Sequence, residues 1–124
     1  MKRVMVVLVT WFLTSVPLAF AAEGDFPIGA FATAIADEDW TITFDDKGKF
    51  VVTHQGKEVV EGTYQVKKQE IELTDLKGAY AGDGDTKVGK YKWAWADKKL
   101  TFTKIEDKSP GREKCLTSSP WRMK

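Results

Sequence analysis

The sequence predicts an all-β protein: a single antiparallel, up-and-down barrel of about eight short strands that follows an N-terminal signal peptide. From Trp40 onward, apolar and polar residues alternate in short runs, as expected where one face of each strand packs on a core. Turn-forming residues separate these runs about every ten residues, which is typical of a meander. A meander closes into a barrel or folds into a sandwich. Because the turns are too short for the long crossovers of a Greek key, we favour the barrel.

The beginning of the chain has the layout of a secretory signal peptide. Two basic residues are followed by an almost wholly apolar run, which ends in the small-x-small cleavage motif Ala19-Phe20-Ala21. The alternative is an uncleaved membrane anchor, but the polar residues directly after the motif favour cleavage. The sequence therefore predicts a signal peptide over residues 1–21 and one domain over residues 22–124. It also predicts a secreted or periplasmic protein without a membrane association after cleavage.

Length and charge limit the class of protein. Cleavage after residue 21 leaves 103 of the 124 residues, enough for one domain. The chain has 19 basic and 18 acidic residues, and loss of the two basic residues of the signal leaves a formal charge of −1. This balance argues against nucleic acid and against electrostatic binding to a membrane. Cys115 is the only cysteine, so no internal disulfide can form. An exported protein either buries a lone thiol or pairs it with another chain, and we favour a buried, inert thiol.

The first half of the domain is predicted as a loop followed by strands. Residues 24–29 contain Pro27 and two glycines, which indicate the loop. Residues 30–36 are rich in alanine, so a short helix is the alternative there, but their period of two favours a strand. Strands with clear alternation follow at Trp40–Phe44, Phe50–His54, Val59–Val66 and Glu70–Thr74, separated by turns at residues 45–48, 55–57 and 67–68.

The second half of the domain begins with a break in the pattern. Residues 75–85 contain three glycines and one large side chain, Tyr80. We expect a surface loop or an irregular strand there, the longest candidate for a flexible lid. The remaining predicted elements are strands over Gly89–Trp95 and Leu100–Ile105, a loop at residues 106–111, a last strand over Arg112–Leu116 and a final segment at Trp121.

The strand Gly89–Trp95 places three large aromatic side chains on one face. We expect the inward-facing residues of the other strands to cover these rings. The face then belongs either to a fully packed core, which small barrels favour, or to the wall of a cavity for an apolar or aromatic molecule. For the cavity, the predicted ligand-binding residues are Trp40, Tyr64, Tyr91, Trp93, Trp95 and Phe102.

The sequence shows no catalytic constellation, so we expect a protein that is not an enzyme and that uses no cofactor. His54 is the only histidine and has no recognisable nucleophile or metal partner at a suitable spacing, so we expect it at the rim or surface. The acidic residues at 45–46 and 83–85 lack the spacing of an EF-hand. We therefore expect solvated turn carboxylates and no metal site.

The domain resembles bacterial secreted lipocalin-like domains of the calycin group, over about the whole mature chain. The resemblance lies in the meander, in Trp40 on the first full strand, in a late Trp, and in the segments EGTY (Glu61–Tyr64), GKYKWAW (Gly89–Trp95) and KLTFTKIEDKSPGR (Lys99–Arg112). It implies a meander barrel with an apolar cavity for a small molecule, and no chemistry. The Gly-x-Trp and Thr-Asp-Tyr motifs are absent and the chain is short for a lipocalin, which implies a smaller cavity.

The same resemblance implies a structural closure of the barrel floor. In lipocalins an Arg near the end of the last strand stacks on a Trp near the start of the first strand. Trp40 and Arg112 fit these two roles, with Arg122 as a rival for the second.

Two functions are consistent with these observations. The first is an exported lipocalin-like binding protein that holds a small apolar or aromatic molecule in an aromatic-lined barrel. The alternative is a filled barrel that acts as an interaction or accessory module for another exported protein, through an edge, the loop at residues 78–85 or Trp121. The volume that the barrel encloses distinguishes the two.

Overall fold

The structure, a computed structural model, describes residues 26–124, and the predicted signal peptide lies outside them. These residues form an all-β barrel of eight antiparallel strands with one short helix. The elements are β1 (Gly29–Ile35), β2 (Glu38–Phe44), β3 (Lys49–His54), β4 (Lys57–Lys67), β5 (Glu70–Lys77), β6 (Val88–Ala96), β7 (Lys99–Asp107), α1 (Pro110–Thr117) and β8 (Trp121–Met123). Each strand pairs with the next and β8 pairs with β1, which closes the barrel. The predicted fold class is confirmed.

The strands form where the sequence alternates between apolar and polar side chains. In β6, Tyr91 and Trp93 are buried, while Lys90 and Lys92 on the opposite face are exposed. The alanine-rich residues 30–36 lie mainly in β1 and pair with β2 along its full length, so the period of two indicated the correct element. Alternating burial of this kind places one face of each strand inside the barrel and the other in solvent.

The prediction of a last strand over Arg112–Leu116 is wrong, because these residues belong to α1. The side-chain oxygen of Ser109 accepts a hydrogen bond from the backbone N–H of Arg112 at 3.2 Å, which caps the helix. Pro110 occupies the first turn, where its missing N–H costs no hydrogen bond. The helix has eight residues, and no helix in the described part of the chain is long and apolar enough to cross a membrane.

The seam between β1 and β7 is closed by β8 together with α1. β8 is only three residues long, and it pairs with Leu100 of β7 on one side and with Phe31 of β1 on the other. The Trp121 side chain is fully buried, and its indole N–H donates to the backbone oxygen of Leu116 at 3.3 Å. α1 packs against β7, and its buried Leu116 joins the core. The helix therefore completes the wall that the short last strand leaves unfinished.

Aromatic side chains fill one end of the barrel, which we call the aromatic end and define by Phe26, Phe44, Tyr64 and Trp93. The Phe26 ring, from the segment before β1, lies 4.8 Å from the Phe44 ring and 5.2 Å from the Trp93 ring, both edge to face. The Trp93 indole donates to the backbone oxygen of Lys68 at 3.1 Å, and the Tyr64 hydroxyl donates to the backbone oxygen of Asp45 at 2.5 Å. The polar atoms of these rings are thus satisfied at the β4–β5 and β2–β3 turns.

Candidate ligand-binding site

The other end of the barrel contains a cavity of about 400 Å³. Its apolar wall consists of inward-facing side chains of β2 to β5, namely Ile42, Phe50, Val52, Val60 and Leu73. Leu116 of α1 contributes to the wall from the seam. The volume is at the lower end of the range for small-molecule sites, and the predominantly apolar wall is typical of them.

Three connections surround the mouth of the cavity, the last of which leads into α1. The β1–β2 turn contributes Ala36, the β5–β6 loop contributes Tyr80, and the residues entering α1 contribute Ser109. These positions follow β1, β5 and β7, which run in the same direction in an antiparallel meander. The mouth therefore lies opposite the aromatic end.

A buried ionic network lies at one side of the cavity and is centred on Arg112 in the first turn of α1. Its Nη2 atom is 2.9 Å from Oδ2 of Asp75, and its Nη1 atom is 2.5 Å from Oδ1 of Asp107. The side chains of Arg112, Asp75 and Asp107 are 9%, 6% and 0% exposed. Buried charges of this kind persist only where each has a partner of opposite sign.

Further hydrogen bonds attach this network to the β5–β6 loop and to β6. Nη2 of Arg112 also donates to the backbone oxygen of Thr86 at 2.6 Å, and the backbone N–H of Gly82 donates to Oδ2 of Asp75 at 2.8 Å. The Tyr91 hydroxyl donates to Oδ2 of Asp107. Burial, reinforced by this hydrogen bond, raises the pKa of Tyr91, so its hydroxyl keeps the proton that it donates. The network therefore holds together the β5–β6 loop, the start of α1 and the middle of β6.

Gly89 of β6 makes room for this network. A Cβ atom at this position would lie 2.6 Å from Oδ2 of Asp107 and 3.1 Å from Nη1 of Arg112. Both distances are shorter than van der Waals contact, so a side chain at residue 89 would displace the ion pair. The absence of a side chain at Gly89 therefore allows the ion pair of Arg112 and Asp107 to pack against β6.

Aromatic and charged side chains form the rim of the cavity. The Trp40 ring, which lines the cavity, stacks on the His54 imidazole with centroids 4.2 Å apart and planes 22° apart. Nε2 of His54 lies 2.7 Å from Oε1 of Glu38. Tyr80 is 58% exposed and its ring lies 6.3 Å from the Trp40 ring, while its backbone N–H donates to the oxygen of Val59 at 2.9 Å. His54 therefore lies at the rim, where the sequence predicted it.

Cys115 of α1 also lines the cavity. The residue is half-buried, and desolvation of its thiol raises the pKa to about 12, since a thiolate loses solvation there. The thiol is thus neutral and weakly nucleophilic at ordinary pH. Among residues 26–124, no three His, Cys, Asp or Glu side chains come together in a way that could hold a metal ion.

The structure separates the predicted ligand-binding residues into two groups. Trp40 lines the cavity. The other five are not part of its wall: they are Tyr64, Tyr91, Trp93, Trp95 and Phe102. Tyr64 and Trp93 belong to the aromatic end, Trp95 packs on Phe31, and Tyr91 contacts Phe102. Contact of a ligand with these five residues stays a prediction.

The closure that the resemblance implies takes another form in this protein. Trp40 and Arg112 both line the cavity, but the observed stacking partner of Trp40 is His54. The guanidinium of Arg112 is engaged by Asp75 and Asp107, and it comes from a helix instead of the last strand. Arg122, the rival candidate, lies exposed in β8.

Sequence reasoning did not assign Asp75 or Asp107 to the site, and it named Tyr80 without placing it at the rim. Asp75 continues the buried series of Ile71 and Leu73 in β5, so the period of two did carry a signal for it. Asp107 carried no such signal, because a register shift between Lys90 and Tyr91 changes the pairing of β7 before it reaches its end. Tyr80 was recognised as the only large side chain of its loop, but its position beside Trp40 depends on the folded loop.

Comparison with known proteins adds no assignment to this geometry. No protein-family model matches the chain, and neither the curated proteins nor the solved structures contain a match to it.

Proposed function

We propose that this protein is an exported, lipocalin-like binding protein that holds a small apolar or aromatic molecule in the cavity opposite the aromatic end. The observation that carries the proposal is a cavity of about 400 Å³ with an apolar wall and a few buried polar groups at one side. This combination is the usual composition of small-molecule sites, in which apolar area supplies affinity and polar groups fix orientation. In this proposal the chain binds its ligand without transforming it.

The contrast between the two ends of the barrel supports this proposal. The aromatic end is filled by large rings in edge-to-face contact, which leave little space between them. At the opposite end, medium-sized side chains such as Val52, Val60 and Leu73 leave space. An empty apolar cavity reduces stability, since the atoms of its wall lose packing contacts. A ligand would restore them.

The alternative of a filled interaction module has less support. The barrel is not filled at the end with the mouth, and Trp121, one of the three contacts that the alternative offers, is fully buried.

Titration with the neutral fluorophore N-phenyl-1-naphthylamine tests the proposal. We expect saturable binding of one molecule per chain, with increased fluorescence of the fluorophore and partial quenching of tryptophan emission, since Trp40 lies in the wall. A Val60→Phe variant replaces a small aliphatic side chain of the cavity wall with a phenyl ring that occupies part of the cavity, and it should weaken binding at least tenfold.

The matched control is Val88→Phe, which makes the same substitution at an exposed position outside the cavity wall and should leave the affinity within about twofold. Equal affinity of the Val60→Phe variant and the wild type, or no saturable binding to the wild type, would contradict the proposal.

A further inference from the structure

Two charged side chains that line the cavity, those of Asp75 and Arg112, are almost completely buried. Asp75 comes from β5 and Arg112 from α1, and both line the cavity. Their side chains are more than nine-tenths buried. A ligand in the apolar part of the cavity therefore meets this pair as its main buried polar surface.

The hydrogen bonds of Asp75 are incomplete. Oδ2 accepts from the backbone N–H of Gly82 at 2.8 Å and from Nη2 of Arg112 at 2.9 Å. Oδ1 accepts no hydrogen bond from any residue between 26 and 124. A buried carboxylate oxygen without a donor is costly, and such atoms in proteins nearly always have a partner. Because Asp75 lines the cavity, a molecule in the cavity can supply the missing donor.

The charge balance of the network favours a positive donor. The single guanidinium of Arg112 lies between two carboxylates, those of Asp75 and Asp107. With both carboxylates ionised, this buried group carries one net negative charge. The other charged residues that line the cavity, Glu38 and Lys114, are exposed and of opposite sign, so they do not reverse this excess. A ligand carboxylate beside Asp75 would be repelled, whereas an ammonium would compensate the excess charge.

The aromatic rim adds a second feature that suits a cation. The Trp40 ring lines the cavity, and the Tyr80 ring lies 6.3 Å from it at an angle of 41°. The face of an indole or phenol ring attracts a nearby cation. An amine that enters through the mouth passes these rings before it reaches Asp75.

From these observations, which rest on the proposed function, we infer that the ligand is a small apolar amine. Its ammonium group donates a hydrogen bond to Oδ1 of Asp75, and its hydrocarbon body lies against the apolar wall formed by Ile42, Phe50, Val52, Val60 and Leu73. Neutral alcohols satisfy the hydrogen bond without the charge and rank second, and carboxylates rank last.

A matched series of eight-carbon compounds tests this inference. n-Octylamine, 1-octanol and sodium octanoate share one hydrocarbon chain, and each is titrated at pH 7, below any micelle concentration, by displacement of N-phenyl-1-naphthylamine and by calorimetry. We expect octylammonium to bind at least tenfold more tightly than octanoate, with octanol between them. Octanoate binding equally well or better would overturn the inference.

Two variants then test whether the preference for the amine depends on the carboxylate of Asp75. Asp75→Asn removes the charge with little change of volume and should reduce the ratio of octylamine to octanoate affinity to threefold or less. Asp46→Asn removes an exposed turn carboxylate from the opposite end and should leave the ratio unchanged. An unchanged ratio in Asp75→Asn would also overturn the inference. If Asp75→Asn does not fold, the order in the wild-type series still decides.

The outcomes also separate this inference from the proposed function. If the fluorophore and all three compounds fail to bind, the proposed function is contradicted. If they bind in the opposite order, the cavity is a binding site and only the amine preference is contradicted.

Discussion

At the scale of single residues, Arg112 links the parts of this protein that the barrel strands alone do not hold together. It comes from α1, reaches Asp75 on β5 and Asp107 at the end of β7, and donates to the oxygen of Thr86 in the β5–β6 loop. A buried cation between two buried anions adds little net stability compared with an apolar group of equal volume. Its removal, however, leaves two uncompensated charges.

We therefore expect Arg112→Ala to lower the free energy of unfolding by roughly 3–5 kcal/mol. Urea unfolding followed by tryptophan fluorescence measures this loss. The matched control is Lys104→Ala, which breaks the exposed ion pair with Glu113 (3.2 Å) and should cost at most about 1 kcal/mol. Similar small losses in both variants would show that the buried carboxylates do not depend on the guanidinium.

Cys115 gives a prediction about alkaline pH. Burial raises the pKa of its thiol to about 12, above the value of about 8.5 for an unfolded chain. The folded state thus favours the neutral thiol. Its contribution is complete below the unfolded pKa and is lost as pH rises towards the folded one.

Between pH 7 and pH 10, we expect the wild type to lose about 1–2 kcal/mol more unfolding free energy than Cys115→Ala, because the variant has no thiol to ionise. Urea unfolding of both proteins at the two pH values gives this difference, and other titrating groups cancel in it. Identical pH dependence in the two proteins would contradict a buried neutral thiol.

At the scale of elements, the central aromatic strand β6 combines two different environments. Trp93 is buried, packs edge to face on Phe26 and donates to the oxygen of Lys68, whereas Trp95 is only half-buried. The two side chains share one face of the strand, so the sequence alone assigned them the same role. The difference arises because Phe26, from the segment before β1, covers one ring and not the other.

Trp93→Ala should lower the unfolding free energy by roughly 3–5 kcal/mol, the usual cost of removing a large buried ring. Trp95→Ala should cost clearly less, because part of its ring is already in solvent. Chemical denaturation of both variants, with unchanged m-values, provides the comparison. A larger loss for Trp95→Ala would contradict the assignment of Trp93 to the aromatic end.

Strands β1 to β7 were predictable from the sequence, whereas the helix and the short strand β8 were not. Alternation reports directly on which side of a strand is buried, and it located every strand from β2 to β7. α1 has one buried apolar residue, Leu116, and a single residue provides no period. Its start did have a local signature, Ser109 followed by Pro110, which indicates a capped helix N-terminus.

At the scale of the whole molecule, the sequence predicted a barrel and an inward aromatic face but not where the empty space lies. Inward-facing residues are a local property, whereas the position of a cavity depends on which of them meet across the barrel. Phe26 and Tyr64 fill one end around Trp93, and the space that remains lies next to Trp40. The polar side of the cavity likewise exists only after β5, β7 and α1 have come together around Arg112.

Closure of the barrel depends on its shortest strand. β8 has three residues, yet it pairs with both β1 and β7 and places the fully buried Trp121 at the seam. Removal of residues 121–124 would leave two unpaired strand edges and an unsupported α1. Exposed edges of this kind promote association between chains. Loss of the Trp121 ring alone should cost roughly 3–5 kcal/mol, a large share of the stability of a domain of this size.

We therefore expect a chain truncated after Pro120 to lose its cooperative urea transition and its near-ultraviolet circular dichroism, and to scatter light at concentrations where the wild type does not. The matched control is Met123→Ala, which keeps the β8 backbone and changes an exposed side chain, so its unfolding free energy should stay within about 0.5 kcal/mol of the wild type. If the truncated chain kept a cooperative transition of similar midpoint, α1 alone would seal the seam between β1 and β7. β8 would then be dispensable for closure, and the cavity wall would depend on the helix and its Arg112 network.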